Sequence, residues 1–183
     1  MAPVPSRPPP PNQPLSFWRP WPTNSERHTL ASVAAFVTAG AGFLLAVLWF
    51  DLMFDVQVIG HGERVLPEAV LASIAGYYAR VTTKARPMNR LVAAAMVATL
   101  AAIVVQIARD ESPSWPAWVS LPLVVVAIGL AGGNTVPAAV RLGGRRDPVE
   151  TQTVLARAIL RDHLICLAAI AAVIAVQLSF ATC

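Results

Sequence analysis

The sequence predicts an all-α membrane protein: a bundle of four transmembrane helices, with an amphipathic interfacial helix in the first loop and a disordered proline-rich N-terminal tail. Hydrophobic residues make up 56% of the 183-residue chain and charged residues only 13%, against about 25% charged residues in soluble domains. Four long stretches also lack any charged side chain, and each is long enough to cross a ~30 Å hydrocarbon core as a helix. They are 29–50, 91–108, 112–140 and 164–183.

The chain divides into a tail and one helical domain. Residues 1–28 contain nine of the sixteen prolines. Proline fixes φ and lacks a backbone donor, so we expect this tail to be extended or disordered. At this length, one bundle over residues 29–183 leaves no room for a second folded domain of useful size. The spans are predicted at about 29–50, 89–108, 116–133 and 163–182.

The first span carries small residues at helical spacing: Thr38, Gly42 and Ala46, with Gly40 beside them. Such a ridge lets another helix backbone approach closely, although small residues are also common in membrane helices generally. Nothing breaks the helical pattern before about Ile59, so we expect the first helix to extend that far.

A second kind of helix is predicted in the first loop. Between residues 67 and 82, apolar side chains recur with a period of 3.6, which indicates an amphipathic helix. The segment is too short to span a bilayer. Two tyrosines and several following basic residues favour a position in the interface or against the end of the bundle.

The last two spans differ in regularity. The third contains Pro122, with Gly132, Gly133 and Pro137 near its end, so we expect a kink or an early end there. The fourth opens on an N-cap, a proline and a glutamate three positions after the cap, which is a capping-box start. Its helix is predicted to run from Asp147 towards the chain end, with its first third protruding from the membrane.

The distribution of lysine and arginine predicts the orientation. Ten of the fourteen basic residues lie in loops one and three, and such residues concentrate on the cytoplasmic side. We therefore expect these loops in the cytoplasm and both termini outside, in the inner membrane of a bacterial cell. The net charge of +4 lies beside apolar spans, which is typical of topology-setting charge and not of a nucleic-acid site.

Asp51 and Asp55 are the first candidate site residues. They stand four positions apart, on one helical face at the end of the first span. An ionisable group within a membrane costs several kcal/mol unless it is paired, hydrated or neutralised. Two carboxylates at this spacing can bind a cation, share a proton or pair with Arg90 or Arg161.

His163 is the other candidate for chemistry. It points about 160° away from Arg161 around the last helix, so only one of the two can meet the acidic stripe. If His163 does, a metal or proton-transfer site follows; if Arg161 does, together with Arg157, a structural ion pair is expected. The catalytic candidates are thus Asp55 and His163, and the binding candidates are Asp51, Asn89, Arg90 and Arg161.

Signals for other kinds of site are absent from the sequence. It contains no His-Glu-x-x-His, no phosphate loop and no heme-attachment motif, so neither a metal nor a cofactor is predicted. Asn89, Gln106, Asn134 and Gln177 are expected to make interhelical hydrogen bonds. The predicted partner is the lipid bilayer, with a membrane-protein partner or a second copy of the chain as further possibilities.

Four landmarks follow one another along residues 30–180: the acidic end of the first helix, 87–89 (Pro-Met-Asn) opening the second, 135–137 (Thr-Val-Pro) ending the third, and the step from Arg161 to His163. In this order they resemble the anthrone-oxygenase-like family of small four-helix bacterial membrane proteins. The resemblance implies a cofactor-independent oxygenase. In such an enzyme, His163 or Asp55 would take a proton from a hydrophobic phenolic substrate.

Three functional classes therefore stay open. One is the membrane enzyme just described, and a second is an accessory subunit that docks a larger complex through the ridge of Thr38, Gly42 and Ala46. The third, a small transporter or channel, is disfavoured because too few polar residues lie at mid-membrane to line a path.

Overall fold

A computed structural model describes residues 24–62, 64–84, 86–109 and 114–181. All regular secondary structure in these residues is helical. Residues 1–23 of the predicted tail lie outside the described part, and the first helix begins at Asn24. The helices are α1 (Asn24–Asp55), α2 (Glu68–Tyr78), α3 (Arg86–Ala108), α4 (Trp115–Leu130), α5 (Val136–Gly144) and α6 (Val149–Ala181).

Four helical runs are long and apolar enough to cross a membrane. A bilayer core offers no water to backbone groups, so a spanning segment has to satisfy its own hydrogen bonds, as a helix does. The prediction of an all-α, four-span membrane bundle is confirmed. The runs are Val33–Val58, Pro87–Ala108, Trp115–Gly144 and Val149–Ser179.

The long helices form a ring in which α6 lies between α1 and α4, and α3 lies between the same two helices on the other side. The packing of α6 follows from its sequence, because one series of its buried residues alternates between spacings of three and four. That period of about 3.5 keeps one seam of a long helix turned towards its neighbours. The seam residues are Ala156, Ile159, His163, Cys166, Ile170, Val173 and Gln177.

A second, smaller core covers one end of the ring. We call it the cap: α2, α5 and the first third of α6, packed around buried apolar side chains such as Leu71, Ile74 and Leu142. The helix predicted between residues 67 and 82 is α2, and it buries its apolar face against α5 and α6. Of the two positions expected for it, the structure has the one against the end of the bundle.

The third span stays helical beyond its glycines. Pro122 lies inside α4, and a π-helical turn at Ala131–Thr135 leads directly into α5, so helical conformation continues to Gly144. Pro137 has no backbone N–H to donate to the preceding turn. The π turn ends just before this residue, so the missing hydrogen bond falls where the π-helical bonding pattern changes to the α-helical one. The expected irregularity therefore takes the form of a π turn and not of an early end.

The start of α6 is tied to the end of α5. The helix begins at Val149, directly after Pro148 and two residues after Asp147, the predicted N-cap. The Asp147 carboxylate accepts a hydrogen bond from Arg141 (2.9 Å), and the Asp147 backbone carbonyl accepts one from the Gln152 side chain (2.6 Å). These contacts fix the direction in which α6 enters the bundle.

One glycine of α1 makes the close helix contact. A Cβ added to Gly40 would lie 2.2 Å from the Thr99 hydroxyl of α3, whereas a Cβ on Gly42 would have no neighbour within 4 Å. Gly40 thus allows α1 and α3 to approach each other. The predicted ridge through Gly42 faces away from the described bundle.

Candidate functional site

The two aspartates of α1 lie on its inward face. They continue the buried stripe formed by Val37, Ala41 and Leu44, at the spacings of three and four that also mark α6. Asp55 is fully buried and Asp51 is partly exposed. The α-helix ends at Asp55, so both carboxylates stand where the membrane core meets the cap.

Asp55 joins three helices through its two carboxylate oxygens. Tyr78 of α2 donates its phenol hydrogen to Oδ1 (2.7 Å), and Nδ1 of His163 on α6 lies 2.6 Å from Oδ2. Carboxylate oxygens accept hydrogen bonds, so Nδ1 is the donor and carries a hydrogen. This contact fixes the orientation of the imidazole and leaves Nε2 as its exchangeable position.

Asp51 completes the arrangement on the other side of the imidazole. Its Oδ1 accepts a hydrogen bond from the Tyr77 phenol (2.6 Å), and its Oδ2 lies 3.9 Å from Nε2 of His163. The imidazole therefore stands between two carboxylates, each held by one tyrosine. We call these five residues the acid–histidine cluster: Asp51, Asp55, Tyr77, Tyr78 and His163.

Aromatic packing holds the tyrosines in place. The Tyr77 ring stacks on Phe54 with a centroid distance of 4.0 Å and an interplanar angle of 10°, and it meets the Tyr78 ring edge-on at 5.3 Å. Such contacts add about 0.5–1.5 kcal/mol beyond the area they bury. Phe54 lies on the same helix as the two aspartates, so this stack holds the Tyr77 ring beside them. The Tyr77 ring in turn packs against that of Tyr78.

The other predicted binding residues lie apart from the cluster. Arg161 pairs with Asp162 (2.9 Å), and its side chain is 67% exposed. Asn89 donates to the backbone carbonyl of Thr82 (3.0 Å), and Arg90 is exposed at the start of α3. In the described residues the two carboxylates thus contact the imidazole and not the guanidinium of Arg161. Of the two open alternatives, Arg161 and His163, it is His163 that meets the acidic stripe.

A pattern in the sequence could have decided this choice. His163 continues the seam of α6, four residues after Ile159 and three before Cys166, whereas Arg161 falls outside that seam. A heptad pattern turns one stripe of a helix inward whatever polar residue it contains. Extending the apolar seam through the protruding part of α6 would therefore have placed the imidazole inside.

The two tyrosines are functional residues that sequence reasoning missed as such. Tyr77 and Tyr78 belong to the amphipathic helix predicted between residues 67 and 82, where they favour a position in the interface or against the end of the bundle. Buried phenols nearly always find a hydrogen-bond partner. Two adjacent tyrosines on a helix facing two membrane aspartates are the signal that could have linked α2 to α1.

The cluster stands at a depth where the outer face of α1 remains apolar. Trp49, Met53, Val56 and Ile59 are exposed large hydrophobic residues on both sides of Asp55 in the sequence. Exposed apolar side chains along a spanning helix are the surface that lipid covers. The face of α1 beside the cluster is therefore apolar.

A separate polar layer lies near the other end of the bundle. Gln106 of α3 and Gln177 of α6 exchange a reciprocal pair of amide hydrogen bonds (3.2 Å each), and Gln177 also donates to Ser120 of α4 (3.1 Å). The prediction that these glutamines make interhelical hydrogen bonds is confirmed. Since these groups satisfy one another, the layer fixes helix register.

Burial and the neighbouring carboxylates both raise the pKa of the two phenols. For Tyr77 the larger cause is burial, followed by its hydrogen bond to Asp51. For Tyr78 it is again burial, followed by the charge of Asp55. Both groups therefore stay protonated donors at any physiological pH.

The ordinary pKa of a tyrosine phenol is about 10. We expect the folded protein to show no tyrosinate absorbance even when the pH is raised well above that value. The chain has only two tyrosines, Tyr77 and Tyr78, so the signal reports on this site alone. A raised pKa means that the fold favours the neutral phenol; this stabilisation is present below about pH 10 and is lost as the pH rises further. Ultraviolet titration in detergent measures it, and the detergent-unfolded chain is the control. Normal ionisation near pH 10 in the folded protein would contradict the hydrogen-bonded arrangement.

In the part of the chain that the structure describes, no group of three or more His, Cys, Asp or Glu side chains is arranged to hold a metal ion. Comparisons of the sequence with protein-family models and curated proteins, and of the chain with solved structures, give no match. The features of the chain that bear on its function are therefore the acid–histidine cluster and its setting in a four-span membrane bundle.

Proposed function

We propose that the acid–histidine cluster is the acid–base site of a membrane enzyme that removes a proton from a hydrophobic substrate of the phenol or anthrone class. The observation that carries this proposal is the 2.6 Å contact between Asp55 and Nδ1 of His163. A buried carboxylate on one imidazole nitrogen orients the ring and stabilises its protonated form, as in catalytic triads. Nε2 is then the atom that takes the substrate proton.

The setting of the cluster supports a substrate that arrives from lipid. Exposed apolar side chains of α1, including Trp49 and Met53, flank Asp51 at the same depth. A polar site at this level meets molecules that partition into the bilayer and carry one weakly acidic group. The excess of lysine and arginine in loops one and three favours the cytoplasmic side for this end of the bundle.

The resemblance to the anthrone-oxygenase-like family extends the proposal to a reaction. Once Nε2 has taken the proton, the resulting anion gives its electrons to dioxygen, which is supplied from solution. For an anthrone, one dioxygen converts the substrate into an anthraquinone and one water. The chain itself contributes orientation and proton transfer to this reaction.

The test uses the full chain reconstituted in lipid nanodiscs with a panel of anthrones, hydroquinones and alkylphenols. Dioxygen uptake and quinone absorbance are followed for the wild type, for His163→Ala and for His61→Ala, a loop histidine outside the cluster. We expect His163→Ala to lower kcat/KM by a factor of about 10²–10⁴, with His61→Ala close to the wild type. Equal turnover in the two variants, or no turnover of any panel member by the wild type, would contradict the proposal.

One observation favours a second candidate, the accessory subunit. The ridge of Thr38, Gly42 and Ala46 faces away from the bundle, and nothing lies within 4 Å of a Cβ placed on Gly42. A flat strip of small residues suits a helix of another protein. If the chain is such a subunit, a partner protein copurifies with it in mild detergent. The Gly42→Leu variant then loses this partner, whereas the His163→Ala variant retains it.

A further inference from the structure

We propose that Asp51 is the proton outlet of the acid–histidine cluster: it accepts a proton from Nε2 of His163 and releases it to water at the membrane surface. This inference rests on the proposed acid–base function and names the path by which the site is reset. A base that has taken one substrate proton has to lose it before the next turnover. The structure offers one route for that loss.

Exposure increases through the cluster in one direction. The Asp55 side chain is 1% exposed, that of His163 is 8% exposed, and that of Asp51 is 17% exposed. Of these three side chains, that of Asp51 thus has the largest exposed fraction. A proton that leaves the imidazole through Asp51 reaches the surface of the protein in one further step.

The hydrogen bonds leave one oxygen of Asp51 available to the imidazole. Tyr77 occupies Oδ1, whereas Oδ2 faces Nε2 at 3.9 Å. This separation exceeds hydrogen-bond length, which ends near 3.2 Å for N–H and O. A small side-chain rotation or a single bridging water closes such a gap. Asp51 can therefore alternate between facing Nε2 and facing the water outside.

The remaining groups near the imidazole are all engaged. From α1, Asp55 uses both its oxygens, one for Tyr78 and one for Nδ1. From α2, both phenols are donors and keep their hydrogens because their pKa is raised. On α6 itself, Asp162 is paired with Arg161 through its Oδ1. Among the described residues, the carboxylate that lies within 4 Å of Nε2 is that of Asp51.

The transfer balances without any further reactant. The N–H bond at Nε2 of the imidazolium breaks, an O–H bond at Oδ2 of Asp51 forms, and the imidazole returns to its neutral form with its hydrogen on Nδ1. Asp51 then gives the same proton to water. Tyr77 is a positioning residue here, because its hydrogen bond sets which carboxylate oxygen faces the ring.

The experiment needs no substrate. In the full chain with His28→Gln and His61→Gln, His163 is the only histidine, and nitrogen-15 NMR in nanodiscs follows exchange of its Nε2 hydrogen with water at a pH low enough to protonate the imidazole. We expect Asp51→Asn to slow this exchange by about tenfold or more, Asp51→Glu to restore it, and Tyr77→Phe to stay within a few fold of the starting protein. Asparagine has almost the shape of aspartate, and reversible unfolding in bicelles checks that each variant keeps its fold.

The proposal that Asp51 is the proton outlet is overturned if Asp51→Asn exchanges its Nε2 hydrogen as fast as the protein with aspartate at this position. It is also overturned if Asp51→Glu does not restore the exchange rate. Neither result depends on turnover, so the outlet and the proposed enzyme activity fail separately. If the wild type turns over no panel substrate while exchange requires Asp51, the path stands and the assignment as an enzyme fails. If His163 is required for turnover while exchange ignores Asp51, the enzyme stands and the outlet fails.

Discussion

Asp55→Ala is expected to lower the free energy of unfolding by about 2–6 kcal/mol, because it leaves two buried donors without their common acceptor. The Asp55 side chain is fully enclosed, and its two oxygens accept hydrogen bonds from Tyr78 and His163. Its removal leaves a phenol and an imidazole buried without an acceptor, and each unsatisfied group costs about 1–3 kcal/mol. Three helices lose their common contact in a single step.

The matched control is Asp51→Ala, one helical turn earlier on the same face. Asp51 is partly exposed and contacts the imidazole only at 3.9 Å, so water replaces much of what it provides, and we expect a loss of about 1 kcal/mol. Reversible unfolding in bicelles measures both variants. Equal losses would mean that Asp55 does not have the buried, doubly bonded position described for it.

The four spans were predictable because lipid imposes a simple requirement on the chain. A segment without charged residues and of bilayer length has to be helical, so the charge-free stretches at 29–50 and 91–108 directly predict α1 and α3. The course of the chain over 112–140 was harder to predict. The proline and the glycines in this stretch indicate a weak point in the helix, but whether the helix ends there or passes through a π turn depends on what packs beside it.

The cap illustrates a limit of reading a pattern one segment at a time. The period of 3.6 between residues 67 and 82 identifies an amphipathic helix, and this part of the prediction is confirmed by α2. The same pattern suits a helix that lies on a lipid surface. Only the apolar faces of α5 and of the protruding part of α6 decide in favour of a second core.

Three of the five members of the acid–histidine cluster were predictable from the sequence, but their geometry was not. Asp51, Asp55 and His163 stand out because ionisable groups are expensive near lipid. Which face of α6 meets them is a rotation about the helix axis, set by the packing of side chains such as Ile170 and Val173. The tyrosines enter from a helix whose position against α1 follows from tertiary contacts and not from local sequence.

Gly143→Ala is expected to destabilise the protein by about 1–3 kcal/mol, as overpacking of a tight contact does, and to disturb the cluster without touching it. A Cβ on Gly143 would lie 2.8 Å from the backbone nitrogen of Ala79 and 3.2 Å from the carbonyl carbon of Tyr78. These are backbone atoms, which cannot move aside as a side chain does. The clash pushes α5 away from the end of α2 and pulls the Tyr78 phenol from Asp55.

The neighbouring glycine separates this clash from the general effect of adding a methyl group. A Cβ on Gly144 would have no atom within 4 Å, and alanine is favoured over glycine in a helix by up to about 1 kcal/mol. Gly144→Ala should thus be neutral or slightly stabilising, while Gly143→Ala loses stability and brings tyrosinate ionisation closer to pH 10. Both are read from unfolding in bicelles and from ultraviolet titration. If the two variants had the same stability and the same tyrosinate titration, α5 would not pack tightly against α2 at Gly143. Other contacts would then hold Tyr78 beside Asp55.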